Sequence, residues 1–139
     1  MYPTVTALLV SHDGARWLPA VLEAVAAQTR APSRLVAVDT GSTDGSVELV
    51  RGRADELLEL PERTGYGAAL AAGLAALPDG ADDEWVWLLH DDAAPAPDAL
   101  QALLAAADAD PSVDLLGAKM REWPSLKRLL EVGVTIGPT

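Results

Sequence analysis

The chain is predicted to fold as an α/β domain, with a mostly parallel sheet carrying helices on both faces. Three observations predict it. Apolar runs of strand length alternate with stretches of helical periodicity, in the order β-α-β-α-β-α-β-α-β. Several of those runs, such as Leu8–Val10 and Trp85–Leu89, are uninterrupted by charge and read as buried strands. The polar residues that interrupt the pattern fall mostly where those strands end. At 139 residues the chain is long enough for a core that buries about two-thirds of its unfolded surface, and it reads as one domain, 1–139.

Taken in order, Thr4–Val10 is the first strand, rich in β-branched residues and leucine and closed by Ser-His-Asp-Gly. Residues 15–28 then place Trp17, Leu18, Val21, Leu22 and Val25 at helical spacing, with Pro19 in the first turn, where its missing N–H costs nothing. Arg34–Val38 is the second strand and ends at Asp39. The turn-rich loop Asp39–Ser46 offers several N-caps for a short helix over 47–53. Residues 55–60 form a short alternating strand suited to a sheet edge, stopped by Pro61. An alanine-rich helix over 64–77 opens with Gly65 and Gly67. The strand Trp85–Leu89 follows, then a helix over 97–108 with Pro97 at its first position. Residues 113–120 read as a fifth strand, and 129–136 as one more that begins near the end of the chain.

Bulk properties exclude several functions. A net charge of −11 argues against nucleic-acid binding, which needs clustered Lys and Arg against phosphates. Without cysteine there is no disulfide, thiolate nucleophile or Cys-based zinc site. No stretch reaches about 18 uninterrupted apolar residues, and the N-terminus lacks the form of a signal peptide, so the expected location is cytoplasmic, any membrane association resting on regions outside this chain. There is no GxGxxG after the first strand, no P-loop and no Gly-x-Ser-x-Gly elbow. A phosphorylation receiver would need its acidic pair after the first strand, whereas here it follows the fourth.

In a parallel sheet the C-terminal strand ends emerge on one edge, where ligands bind. Here those ends carry Ser11-His12-Asp13, Asp39, Glu62-Arg63 and His90-Asp91-Asp92. An acidic pair can hold a hard divalent cation, and the cation a diphosphate; the same pair is also an ordinary feature of a solvated turn. Gly65-Tyr66-Gly67 at a helix start could let backbone N–H groups approach an anion.

The segments Val5–Gly14, Leu18–Thr29 and Val36–Ser46, the Gly65/Gly67 helix start, and His90-Asp91-Asp92 followed by Pro95-Ala-Pro-Asp98 together resemble family 2 glycosyltransferases. The likeness runs over about residues 4–120 in the expected order, and Asp39–Ser46 is its most specific piece. It implies a GT-A, Rossmann-like three-layer fold whose N-terminal half binds a nucleotide-diphosphate sugar, transferred to a carbohydrate or lipid-linked acceptor in cell wall polysaccharide biosynthesis. By that resemblance Ser11, His12 and Asp13 line the nucleotide pocket, Asp39 meets the base or ribose, and Asp44 supports that loop. Arg63, Gly65 and Gly67 lie beside base and diphosphate, and His90-Asp91-Asp92 takes the place of the Asp-x-Asp motif. Asp92 would then ligate Mn²⁺ or Mg²⁺, with Asp91 facing the ribose or sugar and serving as a second ligand.

The chain departs from the family in having His90 for the motif's first acid, and Leu70-Ala-Ala-Gly73 where a polar residue often precedes the glycine. In inverting members the general base comes from a C-terminal half that these residues do not include, so the catalytic residue is unassigned. The expectation is a donor-binding part that does not turn over alone and forms a homodimer through an unpaired sheet edge around Leu129–Ile136. The alternative is a non-catalytic nucleotide-binding or interaction module with this fold. A sugar nucleotidyltransferase fits less well, since its glycine-rich loop with a basic residue after the first strand is missing.

Overall fold

The structure, a computed structural model, describes residues 3–80 and 84–132. The chain groups into two compact units, Met1–Leu100 and Gln101–Thr139.

In the first unit, β1 (Thr4–Ser11), β2 (Arg34–Asp39), β3 (Glu56–Glu59) and β4 (Glu84–His90) form a wholly parallel sheet in the order β3-β2-β1-β4. The helices α1 (Leu18–Ala26) and α2 (Ser46–Arg51) lie on one face and α3 (Tyr66–Ala76) on the other. Strand periodicity divides the core accordingly. Ala7 and Leu9 of β1 pack with Leu18, Val21, Leu22, Val25 and Val50, while Leu8 and Val10 pack with Ala69 of α3. The three layers agree with the sequence-based expectation, and so does β3 as an edge strand.

One strand differs. The apolar run Trp85–Leu89 predicts a buried strand, but among the described residues β4 is also an edge, and Val86 and Leu88 remain 37% and 43% exposed. Trp87 and Leu89 join the α1 side of the core, whereas α3 lies over β1 and β2 and leaves the other face of β4 uncovered. An apolar run therefore reports a strand correctly but cannot report its place in the sheet.

The chain order reverses direction at β1: β2 and β3 build outward on one side, and β4 is added on the other. Val10 pairs with His90 at the ends of β1 and β4. That is a topological switch point, where the loops leaving two adjacent strands part and leave a crevice.

The helix α4 (Ala99–Ala109) begins in the first unit and continues into the second. After it, Asp110 closes a turn by accepting from the Ser112 amide and hydroxyl. Two expectations fail here. Residues 113–119 are irregular, and only β5 (Met120–Arg121) is extended. It pairs antiparallel with β6 (Leu129–Glu131), so neither strand extends the parallel sheet as expected. Gly117 and the turn-forming Asp110-Pro111-Ser112 break the run that suggests a longer strand. Gly133–Ile136, the rest of the expected final strand, lies outside the described residues. Among the described residues no helix is long and apolar enough to cross a membrane.

Candidate functional site

A cleft of about 260 Å³ opens at the carboxyl edge of the sheet, lined by Val10, His12, Thr40, Glu62, Thr64, Tyr66, His90 and Asp91. It lies at the switch point between β1 and β4, where the sequence placed its polar strand ends.

Asp91 ties the two sides together. It is 7% exposed, and its Oδ2 accepts the backbone N–H of His12 at 2.8 Å across 79 residues of sequence. A Cβ at Gly14 would overlap that carboxylate, so the β1 loop can close over Asp91 only with glycine there. The other oxygen, Oδ1, lies 3.3 Å from His90 Nδ1. The same nitrogen is 3.3 Å from Asp92 Oδ1, and Asp92 is exposed. The three donor groups of His90, Asp91 and Asp92 lie within 4.8 Å of one another. An imidazole and two carboxylates at that spacing suit a divalent cation.

His12 is fixed differently. Its Nδ1 sits 3.0 Å from the Thr40 carbonyl, which can only accept, so Nδ1 carries the proton. Its Nε2 lies 3.7 Å from Asp13 Oδ2. On the opposite wall the ring of Tyr66 stacks on His90, centroids 5.1 Å apart and planes inclined by 22°.

The Asp39–Ser46 loop works as a scaffold. Asp39 is buried and accepts from the Ser42 amide at 2.8 Å and the Ser42 hydroxyl at 2.5 Å. Ser42 Oγ in turn receives the Asp13 N–H, and Asp13 Oδ1 receives that of Thr43. Asp44 accepts from Ala15 N–H and from both the amide and hydroxyl of Ser46. The Ser46 hydroxyl above all holds the Asp44 carboxyl below its ordinary range. At Gly41 (φ +77°) a Cβ would come within 2.6 Å of the Glu62 backbone, so this turn must be glycine for the two loops to touch.

Of the residues singled out in sequence, His12, His90 and Asp91 line the cleft, with Asp92 beside them. Ser11 is fully buried and does not line it. Asp13, Asp39 and Asp44 spend their carboxylates on bracing the loops. Arg63, Gly65 and Gly67 are exposed and alternate in sequence with the lining residues Glu62, Thr64 and Tyr66. Sequence reasoning placed Glu62 at a strand end on this edge without giving it a site role, and assigned none to Val10, Thr40, Thr64 or Tyr66. Tyr66 carries a signal, an aromatic between two glycines at a helix start, but its stacking partner is 24 residues away.

Comparison with known proteins bears on this geometry. Galactofuranosyltransferase GlfT1 of Mycolicibacterium smegmatis is 39% identical over 95 residues, 66% of this chain and 31% of that protein. Its Mycobacterium tuberculosis counterpart is 42% identical over 97 residues, with the same coverage. The chain thus spans about a third of the length of these curated relatives. Among solved structures, the mannosyltransferase PcManGT from Pyrobaculum calidifontis, in complex with GDP-Man and Mn²⁺, superposes with a TM-score of 0.67 at 30% identity, over 81% of this chain and 34% of that one. S. aureus TarS with UDP-GlcNAc gives 0.64 at 20% identity, over 87% and 38%, and shares the fold. Residues 6–127 match the family described as glycosyl transferase family 2, a span that holds every strand of the parallel sheet but the first two residues of β1, together with the whole cleft. The chain belongs to glycosyl transferase family 2.

Proposed function

We propose that this chain is the donor-binding part of a metal-assisted glycosyltransferase, which moves a hexosyl group from a nucleotide-diphosphate sugar to an acceptor hydroxyl with inversion. The observation that carries the reading is the meeting of His12, Tyr66, His90 and Asp91 in one cleft at the switch point of a family 2 chain. The complex of PcManGT with GDP-Man and Mn²⁺, and the name of GlfT1, support the donor class.

In this reading His12, Thr40, Glu62, Thr64 and Tyr66 receive the nucleoside, on a loop that Asp39, Asp13 and Asp44 hold rigid and Ser11 backs from beneath. Arg63 and the Gly65–Gly67 turn sit toward the diphosphate. Asp92 and Asp91 hold Mn²⁺ or Mg²⁺; when bound, the cation neutralises the charge that develops on the departing diphosphate. The acceptor hydroxyl must lose its proton to a carboxylate or imidazole within hydrogen-bond reach, and none of the residues named here is assigned that role. The acceptor is a carbohydrate or a lipid-linked sugar. The alternative of a non-catalytic module draws on one feature, His90 in place of the motif's first acid.

A thermal-shift screen of nucleoside diphosphates and GDP-mannose, each with and without Mn²⁺, separates the two. The expected result is metal-dependent stabilisation that Asp92→Ala abolishes. At a ligand concentration 100 times Kd the gain is about 2.7 kcal/mol, easily read as a rise in Tm. No shift with any nucleotide favours the module.

A further inference from the structure

We infer that His90 is itself a ligand of the cation, held in place by the ring of Tyr66, and that its nitrogen makes the site take Mn²⁺ in preference to Mg²⁺. This rests on the donor-site reading and adds to it a ligand, a positioning residue and a metal preference.

The distances carry the first part. His90 Nδ1 lies 3.3 Å from Asp91 Oδ1 and 3.3 Å from Asp92 Oδ1. Metal–ligand distances between those of Mg²⁺ and Ca²⁺, about 2.1–2.3 Å, set neighbouring corners of an octahedron roughly 3.0–3.3 Å apart. The imidazole nitrogen is therefore spaced from each of the two oxygens as from a neighbouring ligand of one ion, and one ligand atom from each of the three residues falls within 4.8 Å of the others. Asp91 can serve because its oxygens divide the work: Oδ2 is engaged by the His12 amide, and Oδ1 faces His90.

Tyr66 supplies the second part. The His90 side chain is 51% exposed, and an imidazole in solvent turns freely about its broad, two-fold outer torsion. The stacked Tyr66 ring, 5.1 Å away and inclined by 22°, holds the imidazole plane, and the carboxylates 3.3 Å from Nδ1 select the ring edge that faces them. Beside its place in the nucleoside cleft, Tyr66 does not touch the cation; it positions the residue that does.

The preference follows from donor chemistry. Mg²⁺ favours an all-oxygen octahedron and keeps several waters, whereas Mn²⁺, although the weakest binder of the first-row transition series and at home among carboxylates, is a transition ion that takes an imidazole nitrogen more readily than Mg²⁺ does. Three carboxylates would hold either ion, so the histidine that breaks the family motif is also the group that discriminates.

The test uses the whole chain and the metals alone: Mn²⁺ binding followed by the EPR signal of the free ion, with Mg²⁺ as competitor. His90→Asp should lower the Mg²⁺ concentration that displaces half the Mn²⁺ by roughly tenfold, the scale on which one change around a metal moves its affinity. Tyr66→Leu should weaken Mn²⁺ by roughly tenfold and Tyr66→Phe should restore it, with both variants melting within a few degrees of the parent. The Tyr66 pair keeps the inference testable even where His90→Asp fails to fold. Equal half-displacement in parent and His90→Asp, or equal Mn²⁺ affinity in Tyr66→Leu and Tyr66→Phe, overturns the inference. If Asp92→Ala loses Mn²⁺ while those comparisons stay flat, the donor-site reading stands and the inference alone falls. A parent chain that binds neither cation overturns both.

Discussion

Replacing Gly14 by alanine should break the lock between the β1 and β4 loops. The new Cβ would occupy the space of the Asp91 carboxylate, which is 7% exposed and has little room to retreat. Moving it stretches the hydrogen bond from His12 N–H, 2.8 Å in the native fold. A hydrogen bond to a charged group contributes about 1.5–3 kcal/mol, and a methyl forced into a filled site costs about 1–3 kcal/mol. The two overlap, because the shift that relieves the collision is the shift that breaks the bond, so the expected loss is about 2–3 kcal/mol. At about 4 °C per kcal/mol for a domain of this size, Tm should fall by roughly 8–12 °C. Urea titration reads it as a lower midpoint at unchanged slope. In an Asp91→Ala background only the residual Cβ of residue 91 stays close, 3.0 Å from the new methyl, so the same substitution should cost about 1 kcal/mol or less, a strongly non-additive cycle. If Gly14→Ala costs as much without the carboxylate as with it, collision with Asp91 is not the reason for glycine at this position.

Two further predictions concern groups around the site. Gln28 is buried and bridges α1 to the loop after the acidic motif, with Nε2 donating to Ala96 O at 2.6 Å and Ala24 O at 3.1 Å while Oε1 accepts the Leu100 N–H at 3.1 Å. It thereby caps the first turn of α4 from the loop that follows α1; Gln28→Ala leaves those groups unpaired and should cost about 2–4 kcal/mol by urea titration, and a loss under about 0.5 kcal/mol would refute the bridge. Asp44 lies below its ordinary pKa of 3.8, through the Ser46 hydroxyl first, with desolvation opposing and the Ala15 and Ser46 amides adding. A depressed carboxyl stabilises the fold above its unfolded pKa and loses that contribution as pH falls through the folded value, so Asp44→Asn should flatten the fall in stability between about pH 5 and 3. An unchanged slope in urea titrations across that range would count against it.

The legible part of the fold was the part written in local pattern. The strands β1 and β2 and the helix α1 announce themselves by period and by Pro19 near the helix start, and the structure places them within a few residues of expectation. Residues 113–120 mislead because a short apolar run carries no record of whether a partner strand exists to pair with it. The exposed face of β4 escapes the sequence for the same reason: Val86 and Leu88 look alike whether α3 covers them or stops at β1.

At the site, residue types alone point to His12, Asp39, His90, Asp91 and Asp92, since acids and histidines at strand ends share one edge of any parallel sheet. Their division of labour is decided in three dimensions. Asp39 and Asp91 are both acids at the ends of strands, yet one holds its own loop through Ser42 and the other reaches 79 residues back to the His12 amide. Tyr66 becomes part of the cleft only because α3 begins beside the end of β4. The sequence by itself determined the layered α/β class and the edge at which chemistry collects, because periodicity and strand polarity are local properties. Which carboxylate braces and which faces the cleft depends on contacts across loops distant in the chain, and only the tertiary structure brings those loops together.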